Sequence, residues 1–325
     1  MHRSALRLAA GLLAVAAMWF TPGNPGYAAN GHLVYLVSDL RLPYWEVLWR
    51  GIRQQAHELG YTIDVFSAEN DPRQELELLM LAASKSVDGI VLSPTNSSAA
   101  VTLIKMAKQA GIPVVMADVG SESDGYVSYI GSDNFHGGYN LGRLLTKTMQ
   151  EKQWQNGRVG IIAIPQKRAT GRARTKGFLQ ALSEADIKSS SLLQQVEFSA
   201  QETYDLMLQM IRENPNLRAI WLQSSSHYRR ALDAIDISGK RHKILLVFSD
   251  AEPAFLELIP AGVIVGAGVQ QPYLMGEKAV QQLHNHLQGK PVLQDVQLPM
   301  LTLSAQNIRP QLANIRRNVL GLDVE

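Results

Sequence analysis

The sequence predicts an α/β protein made of two similar lobes, each built on a parallel sheet. Short β-branched or apolar runs alternate with amphipathic stretches of ten or more residues from residue 33 onward, the rhythm that parallel sheets require. That rhythm runs through once to about residue 130 and then begins again. A chain of 325 residues, 46% hydrophobic, also exceeds the ~100–200 residues of a single core.

The elements follow in order. Residues 33–37 (LVYLV) read as the first strand, and 44–59 as a helix stopped by Gly60. A strand at 62–66 leads to a helix at 72–84, opened by Asn70 or Asp71 ahead of Pro72. Strand 88–92, helix 97–110 ended by Gly111, strand 113–117 and a short strand 127–130 complete the first round. In the second round 158–164, 192–198, 218–222 and 243–248 are strands between helical segments. A strand at 263–267, a helix at 272–287 and a last strand at 298–303 remain, and periodicity alone assigns them to neither lobe. No low-complexity linker divides the halves, so the connection is short and structural.

Ahead of these elements, residues 1–28 read as a secretory signal peptide. Arg3 and Arg7 precede thirteen residues, 8–20, without a charge, and a bilayer span needs ~20. Breakers from Thr21 to Gly26 and the small residues Ala28 and Ala29 then mark a cleavage site after Ala28 or Ala29. Removing Arg3 and Arg7 from the 31 basic residues leaves 29 against 29 acidic ones, so the exported chain is neutral. Such a balance excludes a chain built to coat nucleic acid or an anionic bilayer. The absence of cysteine excludes disulfides, thiolate metal sites and cysteine nucleophiles. H-E-x-x-H, G-x-S-x-G and Walker-A patterns are missing. His284 and His286, two apart, fall on different helix faces and make no metal pair. No enzyme activity, metal or cofactor is expected.

Ligand-facing residues of parallel sheets lie at the carboxyl ends of strands. There the sequence places Ser38 and Asp39, Asp118, Gln223 and Ser224, and Ser249 and Asp250, as either a ring of hydrogen-bonding groups or simple helix caps. Tyr44 and Trp45, directly after Pro43, offer flat faces suited to the C–H surface of a sugar or to a small cation, or else to core packing. Among the basic residues 167–176, Arg168, Arg172 and Lys176 stand four apart and are expected to form one solvated stripe. Arg174 lies about 200° round from Arg172, on the face of Phe178 and Ala181, where a guanidinium needs a ligand or an ion-pair partner. Gly137, Gly138 and Gly142 are expected to allow a helix close to the sheet.

Ser38 through Tyr44-Trp45, Asn70-Asp71-Pro72, the stretch 87–94 (VDGIVLSP), 111–115 (GIPVV) and Ser132-Asp133-Asn134 with Gly137-Gly138 resemble, in order, the periplasmic sugar-binding proteins of the ribose and galactose type. Their fold is shared with the effector domain of lactose-type repressors. The resemblance covers essentially the whole chain after the signal peptide. It implies two Rossmann-like lobes joined by a three-crossing hinge, one lobe being 30–132 plus 271–298 and the other 133–270 plus 299–325. It implies ligand contacts at Ser38, Tyr44, Trp45, Asp118, Arg174, Phe198, Asp250 and Gln270, and Ser224 joins them in a place where the ribose-type proteins have asparagine. Leu42, Val119 and Ser249 depart likewise, from an asparagine, an arginine and an aromatic, which separates this cleft from a ribose site. Asp118, Arg174 and Asp250 sum to minus one, so a neutral solute, sugar or polyol-like, or a small cation is expected. The implied role is that of a monomeric periplasmic receptor for an ABC permease, closing on its solute about the hinge. The alternative partner is a membrane histidine kinase, with the tail after Gln306 and its Arg309, Arg316 and Arg317 as the contact.

Overall fold

The computed structural model describes residues 31–322; the signal-peptide reading of 1–28 lies outside them. In the first lobe β1 (His32–Val37), β2 (Thr62–Ser67), β3 (Gly89–Ser93), β4 (Val114–Ala117) and β5 (Ser128–Ser132) alternate with α1 (Pro43–Glu58), α2 (Pro72–Ser84) and α3 (Ser97–Gln109). The chain then enters a second sheet through α4 (Asn134–Glu151), β6 (Arg158–Ala163), α5 (Ala169–Glu184), β7 (Lys188–Gln194), α6 (Ala200–Glu213), β8 (Leu217–Leu222), α7 (Tyr228–Ile237), β9 (Leu245–Ser249), the short α8 (Phe255–Leu258) and β10 (Gly266–Val269). It returns with α9 (Pro272–Leu287) and β11 (Asp295–Leu298), and crosses again to β12 (Leu301–Ser304). The tail carries α10 (Leu312–Asn314) and a π-helical turn at Ile315–Val319.

The sheets run β11-β5-β4-β3-β1-β2 and β12-β10-β9-β8-β6-β7, and every pairing is parallel except β10 with β12. Three segments therefore pass between the sheets, at Asp133, at Gln270–Gln271 and at Pro299–Met300. Because the central strands β1, β3, β4, β6, β8 and β9 are covered on both faces, they are apolar almost throughout rather than alternating. Leu33, Tyr35 and Val37 pack under α1 and α9, while Val34 and Leu36 pack toward α2 and α3. The second sheet divides its apolar residues in the same way, between the α4/α5 side and the α6/α7 side.

Several elements differ from the sequence expectation. The last strand, expected as one piece over 298–303, is two strands in different sheets, because Pro299 lacks an N–H for a ladder and marks the crossing. The strand expected at 192–198 is β7, Lys188–Gln194. Its serine-rich start hides an edge strand, and the apolar run that suggested 192–198 ends in a loop. The strand expected at 263–267 is β10, Gly266–Val269.

The glycines of α4 serve helix-to-helix contact rather than contact with the sheet. A Cβ at Gly138 would lie 2.9 Å from the carbonyl carbon of Arg174 in α5, and one at Gly142 would press on Ala181 and Phe178 of the same helix. Gly137 faces the side chain of Met300 at a crossing. In the first lobe Gly51 of α1 and Gly276 of α9 let those two helices approach backbone to backbone in the same way. These two crossings fix where the N-terminal ends of α1 and α5 meet the cleft.

Candidate functional site

Between the lobes, a cavity of about 50 Å³ is lined by Tyr44, Trp45, Asp118, Arg174, Phe198, Ser224, Asp250 and Gln270. Eight of the nine candidate residues thus converge from seven separate stretches of chain. Ser38 does not line it. It is fully buried at the end of β1, and its Oγ has no hydrogen-bond partner among the described residues.

The two aspartates hold equivalent places. Asp118 follows β4 and Asp250 follows β9, and each has a φ of 63°, a left-handed backbone that costs a non-glycine residue on the order of 1–3 kcal/mol. Sheet geometry compensates: the Asp118 N–H donates to Ile130 O at 2.9 Å and the Asp250 N–H to Gly268 O at 3.0 Å. Phe198, at φ 54°, is the third strained residue of the cleft. The first turn of α6 holds its loop. Ser199 Oγ accepts from Glu202 N at 3.0 Å, while the Glu202 carboxylate accepts from the N–H groups of Val196, Glu197 and Phe198. His227 Nε2 adds a hydrogen bond to Phe198 O at 2.7 Å.

Side chains then couple across the ring. Tyr44 donates its hydroxyl to Asp118 Oδ1 at 2.9 Å, and burial together with Asp118 and Asp250 pushes that phenol well above its ordinary range. Arg174, 2% exposed, gives Nε and Nη2 to Asn134 Oδ1 at 3.0 and 2.7 Å and brings Nη1 within 4.0 Å of Asp250. The inward face read from the sequence is therefore real, and Arg174 has both an amide and an ion-pair partner within its own lobe. Burial raises the carboxyls of Asp118 and Asp250, and Arg174 opposes the rise in both. Gln270 donates to Asp250 Oδ1 at 3.3 Å and keeps a buried Oε1 without a partner among the described residues.

Arg168 departs from its expected solvated stripe. It is 6% exposed and lines the cavity. It precedes α5 with an extended backbone, φ −84° and ψ 123°, so the 100° helical wheel does not govern its direction. Its position in the loop after β6, at the carboxyl end of a strand, is the signal that places it in the cleft. Its Nε donates across the cleft to Thr95 O at 3.1 Å. The N–H of Ala169 makes a second crossing bond, to Ser97 Oγ at 3.3 Å. Thr95 is held by the buried carboxylate of Glu75, which accepts from its N–H and its hydroxyl at 2.8 and 3.0 Å. Burial lifts Glu75 to about 7, against the pull of Thr95 and Arg168. With Arg168 counted, the cleft carries two arginines and two aspartates, and its fixed charge is zero rather than minus one. Gln223, read beside Ser224 at the end of its strand, lines the cavity too, and Thr170 lines it without having been singled out.

A second cavity of about 210 Å³ shares Tyr44, Asp250 and Gln270 with the first and is closed by Val319, Leu320 and Leu322 of the tail. The tail lies on its own chain rather than free. Arg50 donates to the carbonyls of Gly321 and Leu320 at 2.8 and 3.0 Å, and Arg317 pairs with Glu277 of α9 at 2.7 Å. Among the described residues no group of three metal-ligating side chains occurs, and no helix is long and apolar enough to cross a membrane.

The periplasmic binding protein domain family matches residues 33–291. The ribose import binding protein RbsB of Bacillus subtilis is 27% identical over 284 residues, covering 87% of this chain and 90% of that one. Its Escherichia coli counterpart is 28% identical over 265 residues, covering 81% and 87%. The D-arabinose complex of a carbohydrate transporter solute binding protein from Agrobacterium radiobacter superposes with a TM-score of 0.81 at 21% identity, over 90% of this chain and 99% of that one.

Proposed function

The chain belongs to the periplasmic binding protein family, and on that premise we propose that it is an exported, monomeric receptor that clasps a small neutral polyhydroxy solute between its lobes. The carrying observation is the ring of Asp118, Asp250, Arg168, Arg174 and Gln270 around one inter-lobe cavity, with Tyr44, Trp45 and Phe198 beside it. Two guanidiniums balance two carboxylates there, so a neutral ligand that both donates and accepts leaves no charge uncompensated. Asp118 and Asp250 accept from hydroxyls; Arg174 donates to them. Because Asp118 stands on the first lobe and Asp250, Arg168 and Arg174 on the second, a solute that bridges them favours the closed arrangement, whose surface a partner reads. The partner is an ABC permease, as for relatives that carry the name of import binding proteins. The alternative, a membrane histidine kinase, loses part of its support, because Arg317 of the tail is paired with Glu277 of this chain.

Thermal-shift screening of sugars, polyols, small cations and their acidic analogues tests this reading. A ligand at 100 times its Kd adds about 2.7 kcal/mol to the folded state, several degrees for lobes of this size. Arg174→Ala is expected to cost about 1.5–3 kcal/mol of binding to any hit, the value of a charge-assisted hydrogen bond in a desolvated site. A sugar phosphate or carboxylate that binds more tightly than its uncharged counterpart refutes the neutral-solute reading, and unchanged affinity in Arg174→Ala removes Arg174 from the contact set.

A further inference from the structure

Arg168 does more in the cleft than balance charge. Its guanidinium carbon lies 5.8 Å from the ring centroid of Trp45 and 5.9 Å from that of Phe198, within reach of both aromatic faces. These faces, on opposite lobes, are the flat apolar surfaces against which a sugar ring would stack. Only Nε of this guanidinium is hydrogen-bonded, to Thr95 O; among the described residues Nη1 and Nη2 donate to nothing. An arginine that is 6% exposed and still offers its terminal nitrogens to a cavity is costly unless a ligand completes it.

The cavity that remains beside Arg168 is about 50 Å³. A water-sized group needs roughly 10–15 Å³ on that measure, so the space holds only a few such groups rather than a pentose or hexose ring. The adjoining 210 Å³ cavity contributes no aromatic ring beyond Tyr44, so it gives a sugar ring no second stacking face.

We propose that Arg168 is the specificity-determining residue of the cleft: its guanidinium takes the place of a sugar ring against Trp45 and Phe198, and its terminal nitrogens select a short acyclic polyol. The inference rests on the polyhydroxy-solute reading and narrows it. The planar fork suits two neighbouring hydroxyl oxygens held side by side, while Asp118 and Asp250 accept the hydroxyl protons. A carboxylate would also fit the fork, but it would bring a third anion into a poorly solvated cleft whose charge is already balanced.

Isothermal titration of erythritol, D-ribose and erythronate into the wild type and into Arg168→Ala tests this. Wild type is expected to bind erythritol at least about tenfold more tightly than D-ribose, and Arg168→Ala, with the aromatic slot opened, to reverse that order. Wild-type preference for D-ribose, or an unchanged ratio in Arg168→Ala, overturns the role of Arg168 and leaves the polyhydroxy-receptor reading standing. Tighter binding of erythronate than of erythritol overturns the polyol selection. No heat from any of the three solutes with either protein overturns the acyclic-polyol inference, while the receptor reading stands or falls with the broader thermal-shift screen.

Discussion

Gly138→Ala tests whether the helix crossing that carries Arg174 is set by backbone contact. A Cβ at Gly138 would stand 2.9 Å from the carbonyl carbon of Arg174 and 3.1 Å from its Cα, with the carbonyl oxygen closer still. Both sides of the contact are helix backbone, so no side chain can swing aside; α4 and α5 must separate. Overpacking of this kind costs about 1–3 kcal/mol, and the rigidity of both partners puts it at the upper end. Exchanging glycine for alanine within a helix returns about 0.5–1 kcal/mol. The net expectation is a loss of about 2 kcal/mol, or a fall in Tm of about 4–8 °C for a lobe of this size. The same separation pulls on the bonds from Arg174 to Asn134, which begins α4, so ligand affinity falls as well. Scanning calorimetry with and without ligand reads both effects. A Tm equal to or above that of the wild type would refute the claim that this crossing is limited by backbone contact.

Two further outcomes are expected. Glu75 is protonated more readily folded than unfolded, its carboxyl being raised by burial from 4.5 to about 7; the stability this gives the native state is fully present below about pH 4.5 and is lost as pH rises through about 7. Glu75→Gln removes the titration, on the order of 3 kcal/mol at most, so its melting temperature at pH 8 should exceed that of the wild type, and identical pH profiles would exclude a raised Glu75. Mass spectrometry of the exported protein is expected to find the chain beginning at Ala29 or Asn30, and a full-length chain held in the membrane fraction contradicts the signal-peptide reading.

The run of strands and helices was legible because each element carries its own local signal. Asp71 caps α2, accepting from Arg73 N at 2.8 Å, and α2 and α9 span the residues the pattern assigned them. Most of the cleft was legible too, since parallel sheets present their carboxyl ends to one crevice, and Asp118, Ser224 and Asp250 could be read there. Arg168 was misread because a helical wheel was extended one residue ahead of the helix. The error changed the argument on charge, from an excess of carboxylate to a balance.

Sequence by itself determined the alternation of elements, their caps and the apolar faces that both sheets bury, because these depend on neighbours within a few residues. Local pattern left open which sheet receives β11 and which β12, and it was the family resemblance that divided the chain at 298/299; only the tertiary structure decided that Pro299 splits one expected strand into two. It also decided that Arg168 crosses to Thr95 of the other lobe, and that Asn134 and Asp250, 40 and 76 positions from Arg174, both meet its guanidinium. A buried charge is stabilised by whatever atoms surround it in space, and when these come from distant parts of the chain no local pattern can name them.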